Sequence, residues 1–208
     1  MVEDHVLDVA HCVKFLGVFV DDELKFNSHI QHICNKVSKS IGIIFRIRSL
    51  VPQSLLRNIC FSIVQPYFLY CLPAFASTYH IHLDPLIKLQ KRAIRAISMA
   101  GFLDHTELLF RQCKILNLYD QFKHSLACYL YHNQNLLTEY SRTHSHFTRN
   151  RDVPLAPFAR LRSTEQSVIR NALILWETIP NNIKSCTTIN IFKSRYKNFL
   201  LNQYSSPV

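Results

Sequence analysis

Three sets of side chains have the type and spacing for chemistry. Asp21 and Asp22 are adjacent acids directly behind Phe19 and Val20. Polymerase-type phosphoryl transfer needs carboxylates converging on two metal ions about 4 Å apart, with a third acid from a separate strand. Adjacent strand residues face opposite ways, so a catalytic pair of this kind must sit in a hairpin turn. Asp4 or Asp8 could nominally supply the third carboxylate, but only eleven residues precede Cys12, too few for a palm. The plainer reading places both acids at the start of a helix, where they oppose the positive end of its dipole. The second set is His124, Cys128 and His132, four residues apart on one helix face, with Cys113 upstream. Such nitrogen and sulfur donors suit zinc. Four-residue coincidences also arise by chance among eleven histidines, and the Cys-rich knuckle spacing of a zinc module is missing, so no metal is expected. The third set is Lys88, Lys91, Arg92 and Arg95, four cations on one side of a helix that would track a sugar–phosphate backbone. Lys36, Lys39, Arg46 and Arg48 could extend that surface. A solvated face with no partner is the bland alternative.

The elements that must position these residues are mostly helical. Residues 12–21 alternate as a strand does, with Gly17 a bulge or point of close backbone approach. Asn27 or Ser28 can cap a helix from about His29 to Leu50, in which Ile30, Ile33, Val37, Ile41, Ile44 and Phe45 recur at helical steps. Pro52 suits the first turn of the next helix. No charge occurs between Arg57 and Asp84, so residues 59–76 have the hydropathy of a membrane span. Pro66, Pro73 and Gln65 interrupt the run, and its neighbours are amphipathic and basic, which favours a buried, Pro-bent helix instead.

Residues 84–99 give the clearest amphipathic helix, with Leu86, Leu89, Ala93 and Ile97 opposite the four cations and Gly101 as its C-terminal cap. Further helices are expected over 106–114, 118–133, 165–177 and 189–202. The polar stretch from Ser141 to Asp152, closed by Pro154 and Pro157, marks a linker. The fold class is therefore mainly α, a helical bundle with a short N-terminal β segment. It divides into 1–28, a bundle over 29–140, a linker over 141–164 and a C-terminal helical segment over 165–208.

Composition bounds the function. Among 208 residues, 48% are hydrophobic, enough for a substantial core, and three glycines favour long helices over tight hairpins. The net charge is +10, yet residues 1–24 carry six acids and one base, leaving an excess of +15 on the remainder. Such an excess favours a polyanion, because each neutralised phosphate releases condensed counterions. Seven scattered cysteines with no CxxC pair suggest small buried hydrophobes in a reducing compartment. The acidic start Met1-Val2-Glu3-Asp4 is not a signal peptide, so an intracellular location, cytoplasm or nucleus, is expected.

Several motifs carry a family resemblance. Phe19-Val20-Asp21-Asp22 resembles the aromatic-x-Asp-Asp turn of reverse transcriptases. In a longer frame, Phe15-Leu16-Gly17-Val18, Val20-Asp21, Leu24, Phe26 and His29-Ile30 resemble the palm-to-thumb segment of non-LTR (LINE-type, jockey-like) retrotransposon reverse transcriptases, which follows the catalytic carboxylates. Ser62 to Cys71 and Leu86 to Arg95 are similar to two helices that follow in that family. Phe147-Thr148-Arg149, Trp176 to Pro180 and Phe192 to Lys197 are similar to its closing segment. Together they cover roughly residues 12–202.

The resemblance implies a thumb and post-polymerase region that grips RNA, DNA or an RNA–DNA hybrid, with Phe15, Leu16 and Gly17 near the primer end. It also implies that the polymerase palm, which uses Mg in the whole enzyme, is missing and would be a partner in any longer product. No cofactor is then expected in this chain, and catalysis is not expected of it alone. Two alternatives stay open: a short metal-dependent polymerase or nuclease using Asp21 and Asp22, and an inert or membrane-associated product.

Overall fold

The computed structural model describes residues 10–140 and 156–204. The chain is mainly helical, with one two-stranded antiparallel sheet at its start. Strand β1 (Cys12–Phe15) pairs with β2 (Val18–Asp21), Cys12 opposite Asp21 and Phe15 opposite Val18. The single strand expected over 12–21 is thus a hairpin, and Gly17 is its turn rather than a bulge. Leu16 and Gly17 have φ of 47° and 83°. Positive φ at both positions of a two-residue turn matches the twist of the flanking strands. Only Val18 of the two strands is buried, and β2 rests on helix α1 (Asn27–Ile47). The hydroxyl of Tyr70 donates to the Leu16 carbonyl at 2.5 Å, which fixes the hairpin tip to the body.

Helix α1 follows the pattern of its apolar residues. Ile30, Ile33, Val37, Ile41 and Ile44 form one buried stripe. Its start differs from expectation: Asn27 and Ser28 lie inside the helix, and the chain enters through Phe26 at φ 57° with no side-chain cap. The apolar run after it is not one bent helix but three: α2 (Gln53–Ile63), α3 (Gln65–Leu69) and α4 (Leu72–Phe75). Pro66 and Pro73 stand in the first turns of α3 and α4. A proline lacks the N–H that would continue the preceding helix, and its ring clashes with the carbonyl four residues back. Cys71, at φ 55°, supplies the second corner. Phe68, Leu72 and Phe75 are fully buried, whereas Tyr67, Leu69 and Tyr70 face solvent. No helix among the described residues is long and apolar enough to cross a membrane.

Helix α5 (His80–Ile97) lies along α1, burying Leu83, Leu86, Ala93, Ile94 and Ile97. It ends in a turn whose left-handed residue is Met99 (φ 55°), not the glycine two positions on. Helix α6 (Thr106–Cys113) follows, then α7 (Leu118–His132) and α8 (Asn135–Glu139). Most of the expected linker, residues 141–155, lies outside the described residues, as does the Phe147-Thr148-Arg149 motif. After it come α9 (Arg162–Glu165), α10 (Val168–Thr178), α11 (Asn181–Lys184) and α12 (Ile189–Asn202).

Helices α10 and α12 pack on α7. There Phe192 stacks with Tyr131, Trp176 and Tyr196, at ring separations of 4.5, 5.9 and 5.9 Å. Tyr196 in turn lies parallel to the ring of His124. Asn117 caps α7 by accepting from the Asp120 N–H at 2.9 Å, the arrangement that satisfies a free first-turn donor. Buried Asp120 accepts from Tyr204 Oη at 2.7 Å, Asn117 Nδ2 at 2.8 Å and Lys123 Nζ at 3.0 Å. The Leu116 carbonyl accepts from both Gln90 and Gln121, joining α5 to α7.

Candidate nucleic-acid interface

The outer face of α5 carries Lys88, Lys91 and Arg92 exposed and Arg95 half-buried. At about 100° per residue these four fall within one third of the helix circumference, opposite the buried stripe. Asp84 precedes Lys88 by one turn, but among the described residues none of the four cations is in an ion pair.

Arg48 joins it from α1. Arg48 follows Ile44 by four residues, so helical spacing puts it in line with the buried stripe that faces α5 rather than on the outer face of α1. Its guanidinium carbon lies 4.8 Å from the centre of the Phe45 ring, and that of Arg92 lies 5.3 Å from the same ring. Both distances are within the range at which a cation is drawn to an aromatic face. Arg95 lies beside them and donates through Nε and Nη2 to the Asp104 carbonyl, at 3.0 and 2.9 Å. The Asp104 carboxylate accepts from the Gly101 N–H at 2.6 Å. A Cβ on Gly101 would come within 3.3 Å of that carboxylate, so glycine lets the loop close tightly. The result is a cleft of about 420 Å³ lined by Phe45, Arg48, Arg92, Arg95, Ala100, Gly101 and Phe102, with three guanidiniums and no carboxylate side chain.

The other expected extensions do not meet this cleft. Lys36, Lys39 and Arg46 are exposed on α1, away from its buried stripe, and none lines the cleft. Lys91 instead borders a neighbouring cavity of about 280 Å³ between α5, α6 and the start of α7. Phe15, Leu16 and Gly17 form the exposed hairpin tip, far along the chain from the arginines but tied to α3 through Tyr70.

Asp21 ends β2 and Asp22 follows it, both outside the hairpin turn. Asp21 Oδ1 accepts from the Lys25 N–H at 2.7 Å, while Asp22 pairs with His11 at 2.8 Å. The hydrogen bond with His11 holds the Asp22 carboxyl below its usual range and lifts the imidazole above its own. Asp4 and Asp8 lie outside the described residues. The histidines and cysteines disperse in a similar way. His124 Nδ1 is 3.8 Å from Cys128 Sγ, but its Nε2 meets the Lys193 carbonyl at 3.0 Å. Burial pushes the Cys128 thiol up to about 11, so it stays protonated. Cys113 contacts Ser98, and His132 is exposed at the end of α7. Among the described residues no three His, Cys, Asp or Glu side chains are grouped to hold a metal ion.

Sequence reasoning missed Phe45 and Phe102 as parts of the cationic site. Phe45, three residues before Arg48, was legible only as core; Phe102 stands beside a glycine in the short loop between α5 and α6 and had no periodic signal. It also missed His29, which is 2% exposed and leaves both ring nitrogens without a hydrogen-bond partner. Burial, and secondarily His32, hold its pKa below the ordinary value, so it is neutral. The largest described cavity, about 750 Å³ between α7, α10 and α12, is mostly apolar; its lysine, Lys123, is already paired with Asp120.

Set against models of known protein families, curated proteins and solved structures, the chain matches none of them.

Proposed function

We propose that this chain binds a nucleic-acid duplex without sequence preference, through the outer face of α5 and the arginine cleft beside it. The observation that carries the reading is the set Lys88, Lys91, Arg92, Arg95 and Arg48, gathered on one side of the α1–α5 pair with no acid in ion-pair contact. A row of cations left unpaired along a rigid helix is matched by a row of phosphates, and such contacts position a duplex without reading its bases. Arginine is well suited to this use, because its planar fork holds phosphate oxygens while its face rests on an aromatic ring. The motifs similar to the thumb and post-polymerase region of LINE-type reverse transcriptases supply the natural substrate, a primer–template hybrid of RNA and DNA. In that role the chain grips the duplex and leaves the chemistry to a separate palm.

The test is the salt dependence of binding to an RNA–DNA hybrid, read by fluorescence anisotropy. Changing Lys88, Lys91, Arg92 and Arg95 together to glutamine is expected to weaken binding. The slope of log K against log salt should become shallower by about 3 to 4, roughly 0.9 per lost phosphate contact. Unchanged affinity and slope in that variant would remove α5 from the interface.

A further inference from the structure

The arginine cleft has one feature that duplex binding does not use. At its rim Phe102 is 84% exposed, a large apolar ring held in water. It is not there through slack in the loop. Arg95 grips the Asp104 carbonyl, the Asp104 carboxylate grips the Gly101 N–H, and the Ala100 N–H donates to the Arg95 carbonyl at 3.0 Å. These contacts brace both sides of Phe102. The second ring of the cleft, Phe45, is already engaged by the guanidiniums of Arg48 and Arg92. Phe102 is therefore the aromatic face left free for a ligand.

We propose that the cleft takes one unpaired nucleotide, with its base on Phe102 and its phosphate on Arg48 and Arg92. This rests on the reading of α5 as a nucleic-acid face and names the form of nucleic acid that the end of that face selects. A base inside a duplex has both faces covered by its neighbours; an unpaired base, next to a duplex end or in a single-stranded tail, offers one. Arg48 and Arg92, neither of them in an ion pair, provide the anion site, while Arg95 holds the Asp104 carbonyl and the Asp104 carboxylate is tied to the Gly101 N–H; about 420 Å³ is within the range of pockets that hold small ligands. The loop that presents the ring is anchored by one of those arginines, so the stacking platform and the phosphate site are mechanically joined. The preferred substrate is then a duplex with a single-stranded extension rather than a blunt one.

The experiment compares the full chain on a blunt RNA–DNA hybrid with the same hybrid carrying a short single-stranded tail, by anisotropy at one salt concentration. The tail is expected to tighten binding by roughly 5- to 150-fold, the measured span for one base stacked on an aromatic side chain. Phe102→Ala should bring the tailed affinity down to the blunt one. Phe102→Trp should keep the preference and show indole quenching when a short oligothymidylate is added. Equal binding of blunt and tailed hybrids by the unaltered chain would overturn the inference and leave the duplex reading standing. Binding of the tailed hybrid alone would uphold the cleft and end the duplex reading. A tail preference that survives Phe102→Ala, or that inorganic pyrophosphate abolishes as effectively as the oligonucleotide, would show a phosphate site with no place for a base.

Discussion

Around Phe45, three arginines share a cleft with no carboxylate, whereas at the start of α7 the buried acid is surrounded by donors. Asp120 is bound by Tyr204, Asn117 and Lys123, and Asn117 also holds its N–H. The α1–α5 seam itself is closed by aliphatic side chains, and its charge is left on the outside. The half built by α7, α10 and α12 puts polar groups and a stacked aromatic row inside, and its buried acid is paired. The contrast teaches where each region's free energy goes. A buried carboxylate that lost its donors would cost more than its pairing gains, so it is tied in on every side. The cleft arginines stay in part in water, Arg92 exposed and Arg48 and Arg95 half-buried, so they incur less of that cost and Arg48 and Arg92 stay without a carboxylate partner.

Four substitutions would break or sharpen that contrast. The largest effect is expected from Phe192→Ala, which removes the hub of the aromatic row. Loss of about 3–5 kcal/mol, typical of a large aromatic deleted from a core, should appear as a lower urea midpoint. Tyr204→Phe comes next. It deprives Asp120 of a donor and the Asn117 N–H of its acceptor at 3.0 Å, and should cost about 1–3 kcal/mol in the same measurement.

His29→Leu has the opposite sign. With no hydrogen bond to lose, the chain should gain about 1–3 kcal/mol from relief of two buried, unpaired nitrogens. Because burial lowers the His29 pKa, the unfolded chain binds its proton more readily than the folded one. Stability from this group is complete above the ordinary value of 6.5 and declines as pH falls through the lower folded value. His124, also held low chiefly by burial, adds to the same acid sensitivity. Melting curves between neutral and mildly acidic pH should therefore show a smaller drop for His29→Leu than for the unaltered chain. An equal drop would mean that His29 is protonated in the fold. The smallest effect on stability belongs to the four-glutamine change on α5, expected to cost about 0.5–1.5 kcal/mol, chiefly the Arg95 hydrogen bonds to the Asp104 carbonyl, while binding is lost. A large destabilisation there would mean that these cations hold the fold together.

The helices were legible where burial repeats at helical steps. Ile30, Ile33, Val37, Ile41 and Ile44 marked α1, and Leu86, Ala93 and Ile97 marked α5, including which face of α5 stays in water. Chain direction was less legible wherever a residue other than glycine or asparagine adopts positive φ. Leu16, Cys71 and Met99 turn the hairpin, separate α3 from α4 and end α5, and none carries a local propensity for it. At Leu16 a tertiary contact holds the conformation, the hydrogen bond from the Tyr70 hydroxyl to its carbonyl. The cationic site was half legible for a related reason. Helical spacing grouped the four α5 cations, whereas Lys36, Lys39 and Arg46 were expected to extend them from the preceding helix without regard to the face on which they fall. Arg48 alone of the α1 cations stands four residues after Ile44, in line with the buried stripe, and so reaches the cleft.

The Tyr204–Asp120 hydrogen bond has a consequence in time as well as in space. Its partners are 84 residues apart in the chain. During synthesis at about 5–20 residues per second, Asp120 is made roughly 4–17 s before its closing partner. Until then Asp120 has only Asn117 and Lys123 as side-chain donors, and the ring surfaces that α12 will cover face water. The α1–α5 pair, complete by residue 97, has no such wait. The cationic face is thus finished early on the ribosome, and the aromatic half is the part that a chaperone would have to shelter.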